Sequence, residues 1–207
     1  MNWKTSVDKF PHLTARGLVR SAALVVAGAL ATSQAQAAFH LWNIRELYTD
    51  NSGSLQFIEL FCTLGSQNFV SGQTISVTPT GGGLPHTLTI PSNLVGNTAN
   101  HAFLIGTAGI QAAGAPAPDY FVPSGFLYAG GGSISFFGSG SPVVYSALPT
   151  DGVHSRITFG GSGDAVNSPQ NFANGSGTIT VVPEPATWTL LALSGIGLCL
   201  LLRRRVP

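Results

Sequence analysis

The stretch His40–Leu64, HLWNIRELYTDNSGSLQFIELFCTL, contains two apolar runs on either side of a short polar segment. The runs, at about residues 41–48 and 55–62, are rich in the aromatic and branched residues that favour strands. The segment TDNSGS between them supplies Asp, Asn, Ser and Gly, from which tight turns are built. The stretch therefore predicts a β-hairpin at the start of an all-β domain.

Short β-rich runs continue after the hairpin and are separated by segments rich in Gly, Pro, Ser and Asn. The composition agrees with strands and turns, because 26 glycines, 13 prolines and only 8% charged residues are unusual for a helical protein. Many short strands with frequent turns predict a β-sandwich over residues 38–180. The further predicted strands are 74–79, 86–91, 101–107, 119–123, 133–138, 143–148 and 177–182.

The charged residues are unevenly distributed, although the formal net charge of the whole chain is only +1. Residues 38–182 contain no lysine, two arginines and six acidic residues, which gives this part a formal charge of −4. Proteins that bind nucleic acid need a basic surface, so we expect no nucleic-acid partner. The low charge and the abundance of Gly, Ser, Thr and Asn suit contact with neutral polymers.

Residues 1–37 have the features of a secretory signal peptide. Basic residues extend to Arg20, and the apolar run that follows, residues 21–31, is too short to span a bilayer. Alanines two positions apart then precede a predicted cleavage site between Ala37 and Ala38. We therefore expect the domain to act outside the cytoplasm.

The sequence VVPEPATWTLLALSGIGLCLLLRRRVP at residues 181–207 combines a proline motif, an apolar run and a basic tail. The run at 186–202 has 17 residues without charge, and as a helix it would be about 25 Å long, at the short end for a bilayer core of about 30 Å. Arginines after such a run mark its cytoplasmic side. The sequence predicts one transmembrane helix between the motif residues Pro183, Glu184 and Pro185 and the membrane-stop residues Arg203, Arg204 and Arg205.

This order of motif, span and basic tail resembles the PEP-CTERM sorting signal of exopolysaccharide-producing Gram-negative bacteria. The resemblance implies an exosortase as partner, a multi-pass membrane enzyme that removes the tail. It also implies an inner-membrane precursor that is later placed at the cell surface or in the extracellular medium, with exopolysaccharide as a possible partner.

A second resemblance concerns the hairpin. An I-x-E-x-Y segment followed by F-I-E-L is similar to the opening of lamin-tail-type immunoglobulin-like domains. The resemblance implies an immunoglobulin-like β-sandwich with a structural or binding role. The matching residues are Ile44, Glu46, Tyr48, Phe57, Ile58, Glu59 and Leu60.

Glu46 and Glu59 are the candidate site residues of the domain. A turn centred near Asn51 and Ser52 places Phe57 opposite Glu46, with Glu59 one diagonal step away on the same face. Two carboxylates there, amid Trp42, Ile44, Phe57 and Phe61, could bind Ca²⁺ or raise each other's pKa. Alternatively, each could accept hydrogen bonds from backbone amides or pair with Arg45 or Arg156. A shift of one residue would separate them.

The sequence contains no G-x-S-x-G, H-E-x-x-H, C-x-x-C or P-loop motif, and its histidines are widely spaced. We therefore expect no catalytic residues and no cofactor. The predicted function is that of an exported structural or binding protein of the cell surface or extracellular matrix. The alternatives are a secreted hydrolase whose site is assembled from distant residues and a calcium-stabilised adhesion module.

Overall fold

The predicted hairpin is present. A computed structural model describes residues 39–136 and 141–181, and in it the strand Asn43–Thr49 pairs antiparallel with the strand Gln56–Cys62. The Asp50 amide donates to the Leu55 carbonyl at 3.0 Å. The Asp50 carboxylate accepts hydrogen bonds from the hydroxyls of Ser52 and Ser54 at 2.6 and 3.0 Å and from the Leu55 amide at 3.0 Å. The polar residues of the turn therefore close it, as their sequence predicted.

The described residues form ten strands in two sheets. The first sheet has the order β10-β9-β1-β2-β5-β6, and the second has the order β4-β3-β7-β8. All neighbouring strands are antiparallel except β5 and β6, which are parallel. In chain order the strands are β1 (Asn43–Thr49), β2 (Gln56–Cys62), β3 (Thr74–Pro79), β4 (His86–Thr89), β5 (His101–Gly106), β6 (Tyr120–Phe121), β7 (Gly132–Phe136), β8 (Val143–Tyr145), β9 (His154–Ile157) and β10 (Gly163–Val166).

The main core lies between the two sheets. Phe103 of the first sheet contacts Phe136 of the second, with ring centroids 6.3 Å apart, and it meets the ring of Trp42 edge-on at 4.7 Å. All three side chains are buried together with Ile58 and Ile75. Burying one such side chain contributes roughly 1.5–3 kcal/mol, so this layer holds the two sheets together. The all-β, two-sheet prediction is confirmed.

A smaller core covers the other face of the first sheet, which we call the outer face. Tyr48 and Phe57 stack there with centroids 5.3 Å apart, and Ile110 and Ile179 are buried with them. The Tyr48 hydroxyl donates to the Gly152 carbonyl at 3.2 Å, and burial, aided by nearby carboxylates, raises its pKa to about 12. The first sheet is thus covered on both faces.

Two strands were not predicted from the sequence, and one predicted strand is wrong. The missed strands are β9 and β10; each has only four residues, and all four residues of β10 are exposed. Their residues lack the alternation of polar and apolar side chains that marks a half-buried strand. The predicted strand at 177–182 is wrong for its described part, because residues 177–181 contain no strand.

Several predictions concern residues beyond the described ranges. These are the signal peptide at 1–37, its cleavage site at Ala37 and Ala38, the transmembrane helix at 186–202 and the two sets of sorting residues on its flanks. Within residues 39–136 and 141–181, no helix has the length and hydrophobicity needed to cross a membrane.

Candidate functional site

Glu46 and Glu59 lie directly opposite each other on β1 and β2. The predicted register, with Phe57 opposite Glu46, is wrong by two residues on β2. The cause is the turn, since Thr49 pairs with Gln56 and the loop is therefore centred one residue later than predicted. An even shift keeps side chains on the same face, so the two carboxylates remain neighbours.

A β-bulge at Arg45 changes the surroundings of this pair. The register of β1 shifts between Ile44 and Glu46, and an extra residue in one strand reverses which face the following side chains occupy. Ile44 and Trp42 therefore lie in the core between the sheets, whereas Arg45 reaches Glu59 on the outer face. The prediction that Trp42 and Ile44 surround the carboxylates is wrong for this reason.

Glu59 is fully buried and has two partners. The Arg45 guanidinium donates to one carboxylate oxygen, and the Gln170 amide donates to the other at 2.6 Å. Arg45 also donates to the Gln170 side-chain oxygen at 3.3 Å, and its guanidinium lies 4.5 Å from the centre of the Phe61 ring. Burial raises the pKa of Glu59, and the adjacent Arg45 only partly opposes that rise.

Glu46 is also buried, and its partners are different. The Ser155 hydroxyl of β9 donates to one of its oxygens at 2.6 Å, and the Ser168 amide donates to the same oxygen at 2.9 Å. The Ser168 hydroxyl donates to the other oxygen at 3.1 Å. The two carboxylates therefore fasten the segment around residues 168–170 to the outer face of the first sheet.

These contacts are of the kind that the hydrogen-bonding alternative predicted: backbone amides for both glutamates and Arg45 for one of them. Arg156 instead pairs with Asp164 on β10. Among the described residues, no group of three or more His, Cys, Asp or Glu side chains has an arrangement suited to a metal ion. Calcium binding by Glu46 and Glu59 stays a prediction.

Three histidines in the described ranges have structural contacts. His154 pairs with the exposed Asp151, and hydrogen bonds from the amide and ring of His154 lower the pKa of Asp151 to about 2. His86 contacts the Phe126 carbonyl and the Tyr128 hydroxyl, each at 3.0 Å. The His101 ring contacts the Ala99 carbonyl at 2.9 Å and the side-chain nitrogen of Asn174 at 3.2 Å. In the described part of the chain, no hydrogen bond joins the ring of any of these three to a serine or cysteine side chain.

A cleft of about 410 Å³ opens beside the first residue of β5. The sequence did not reveal it, because its walls come from four separate parts of the chain and the segment around residue 95 lies between two predicted strands, at 86–91 and 101–107. A possible signal was the pair of asparagines around Gly96, in the sequence NLVGN. The residues that define the cleft are Asn93, Gly96, Asn97, His101, Asp119 and Phe172.

Comparison with known proteins adds one finding. Residues 181–205 match the PEP-CTERM protein-sorting motif, which confirms the resemblance of the proline motif, apolar run and basic tail. No curated protein and no solved structure matches the chain. The motif indicates an exported protein that is anchored transiently at a membrane and targeted to an exosortase.

Proposed function

We propose that the protein is a structural or binding protein of the cell surface or extracellular matrix, with no catalytic role. Its precursor is held in the inner membrane, and an exosortase processes its C-terminal end. The sorting motif at residues 181–205 carries the part of this proposal that concerns export and processing by an exosortase.

The position of the motif relative to the sandwich supports the proposal. Val181 is still attached to the body through its amide, which donates to the Gly152 carbonyl at 3.3 Å. The proline motif begins two residues later, at Pro183. A proline has no backbone N–H to donate, and the residue before a proline is biased towards extended conformations; both properties suit recognition by a processing enzyme.

The contacts of the titratable side chains support a structural or binding role over catalysis. A general base needs an accessible atom near the reacting group. Glu46 and Glu59 are buried, and each accepts hydrogen bonds from the segment at 168–170. The immunoglobulin-like assignment of the sandwich and a role in exopolysaccharide stay part of the same proposal.

The test is to express the full chain in hosts with and without an exosortase and to determine the intact masses of the products. With the enzyme, we expect a species that lacks the residues beyond the proline motif. Replacing both motif prolines, Pro183→Ala with Pro185→Ala, should leave export intact and abolish this species. The matched control replaces two exposed prolines of the body, Pro85→Ala with Pro142→Ala, and should be processed like the natural chain.

An intact C-terminal end in both hosts would contradict the proposal. Equal processing of the motif variant and the control would show that the prolines are not recognised. Loss of processing in both variants would show that prolines outside the motif matter equally, which would contradict specific recognition of the motif prolines.

A further inference from the structure

The cleft beside β5 has side chains of a particular chemical mixture. Its lining includes one carboxylate, two carboxamides, a histidine, a serine and the rings of Tyr120 and Phe172, and it has no lysine or arginine. The absence of a cation disfavours phosphate or another anion as ligand. A volume of about 410 Å³ lies in the range typical of small-molecule sites, about 300–1,000 Å³.

The side chains of Asn93 and Asn97 are each oriented by one hydrogen bond to a backbone amide. Asn93 accepts from the Ser71 amide at 2.9 Å, and Asn97 accepts from the Ala99 amide at 3.1 Å. Both use the side-chain oxygen, so both NH₂ groups are available as donors. Fixing a donor before a ligand arrives lowers the entropy cost of binding.

Asp119 supplies the complementary acceptor. One of its oxygens, Oδ2, accepts from the amides of Leu104 and Phe172 at 2.8 and 2.9 Å. In the described part of the chain, no residue donates to the other oxygen, Oδ1. Burial raises the pKa of Asp119, against the effect of those two amides. The cleft thus offers two fixed donors and one fixed acceptor.

An aromatic ring completes the cleft. Phe172 is half-buried and lies against the backbone of Gly96, where an added Cβ would be only 3.4 Å from the ring. Gly96 also has φ +135°, a conformation that side chains rarely adopt. The glycine therefore allows the loop with the two asparagines to approach the ring.

We propose that this cleft binds a neutral saccharide. Sugar hydroxyls both donate and accept, so they match two amide donors beside a carboxylate acceptor, and the apolar face of a sugar ring fits an aromatic side chain. The proposal rests on the proposed function and deepens it, because it names the ligand class of an exported binding protein.

The test uses the full chain in detergent and a panel of neutral hexasaccharides of glucose, mannose and galactose, with hexagalacturonate as the anionic comparison. Binding is measured by titration calorimetry. We expect saturable binding of at least one neutral hexasaccharide, unchanged by added salt because the ligand carries no charge. Saturable binding of hexagalacturonate alone, or of no saccharide, would overturn the proposal.

The variant Asn93→Asp with Asn97→Asp isolates the two donors. Aspartate keeps an oxygen that can accept the hydrogen bond from the Ser71 or Ala99 amide but replaces the NH₂ donor with a second acceptor. Loss of two hydrogen bonds should weaken binding at least about tenfold. The control is Asn51→Asp at the exposed tip of the hairpin, which should bind normally. Unchanged affinity in the double variant, at an unchanged melting temperature, would overturn the proposal.

Saccharide binding and exosortase processing are measured independently on the same chain, so each proposal can fail without the other. If the natural chain is processed by an exosortase but binds no neutral hexasaccharide, the cleft proposal fails and the sorting proposal stands. If it binds as expected but is not processed, the cleft proposal stands and the sorting proposal fails.

Discussion

Arg45 shows how one inserted residue organises the outer face. Its bulged position places its guanidinium beside Glu59, over the Phe61 ring and within 3.3 Å of the Gln170 oxygen. One side chain therefore joins β1, β2 and the segment after β10. The sequence predicted that Glu46 and Glu59 share a face, but a bulge is a property of the paired strands and has no reliable sequence signature.

Replacing Arg45 should destabilise the folded chain, because the buried carboxylate of Glu59 loses its counter-ion. Arg45→Met leaves Glu59 without a counter-ion, and we expect the free energy of unfolding at about pH 7 to fall by about 3 kcal/mol. Burial already raises the pKa of Glu59 in the folded chain, and loss of Arg45 raises it further. Glu59 of the folded variant then keeps a proton that the same side chain releases in the unfolded chain. The loss of unfolding free energy should therefore grow as the pH rises above 4.5, the pKa of Glu59 in the unfolded chain. Urea unfolding at several pH values measures it.

Two comparisons make this prediction specific. Arg45→Met combined with Glu59→Gln removes the charge as well, so it should recover at least about half of the loss at neutral pH. Asp164→Asn breaks the more exposed pair with Arg156 but leaves the contacts of Arg156 with Ser146 and Ala147 in place, so it should cost about 1 kcal/mol or less. A deficit of Arg45→Met that does not change with pH would refute the role assigned to Glu59.

At the scale of elements, the segment at 177–181 explains why a β-rich sequence is not always a strand. The Ile179 amide donates to the Asn167 side chain at 2.6 Å, and the Asn167 side chain donates back to the Ile179 carbonyl at 2.8 Å. The Thr180 amide donates to the Ala113 carbonyl at 3.3 Å. The backbone groups of the segment are thus satisfied by a side chain and a loop instead of a neighbouring strand.

The backbone of this segment at Gly177 approaches the backbone of the loop at Gly114 closely. A Cβ added at Gly177 would lie 2.1 Å from the Gly114 carbonyl oxygen. This distance is too short for two non-bonded atoms, so one of the two backbone segments would have to move. We therefore expect Gly177→Ala to destabilise the chain by roughly 2 kcal/mol or more and to make the segment sensitive to protease. Thermal unfolding and limited proteolysis measure the two effects.

Gly130→Ala is the matched control for this substitution, because no atom lies within 4 Å of its added Cβ. The control should unfold at nearly the natural temperature. Equal effects of the two substitutions would show that the close approach of Gly177 to Gly114 is unimportant.

At the scale of the whole molecule, the cleft and the C-terminal exit lie toward opposite ends of the first sheet. His101, at the cleft, is the pairing partner of Cys62, at the end of β2. Val181 is bonded to Gly152, which Tyr48 contacts near the start of β2. A strand of seven residues separates these ends by about 20 Å.

The proline motif begins two residues after Val181, the last residue that the structure describes. Two residues reach at most about 7 Å from Val181 to Pro183, so a processing enzyme must work close to the sandwich. We expect an insertion of about ten Gly and Ser residues after Val182 to speed processing several-fold, because a flexible spacer relieves this crowding. Intact-mass analysis over time, in the host that contains an exosortase, measures the rate.

The control for the spacer is the same insertion in the exposed loop between β3 and β4, between Gly81 and Gly82, where no atom lies within 4 Å of an added Cβ. It should leave the rate of processing unchanged, because it adds length away from the motif. A spacer after Val182 that leaves the rate unchanged would show that the body does not hinder the enzyme.

The sequence alone determined the features that depend on neighbouring residues. The turn chemistry around Asp50 predicted the hairpin, and the contiguous order of Pro183–Pro185, apolar run and arginines identified the sorting motif. Only the tertiary structure decided the bulge at Arg45, the weakly patterned strands β9 and β10, the path of residues 167–181 and the cleft at Asp119. Each of these is set by contacts between distant parts of the chain, such as Glu46 with Ser168, whose energy no local pattern contains.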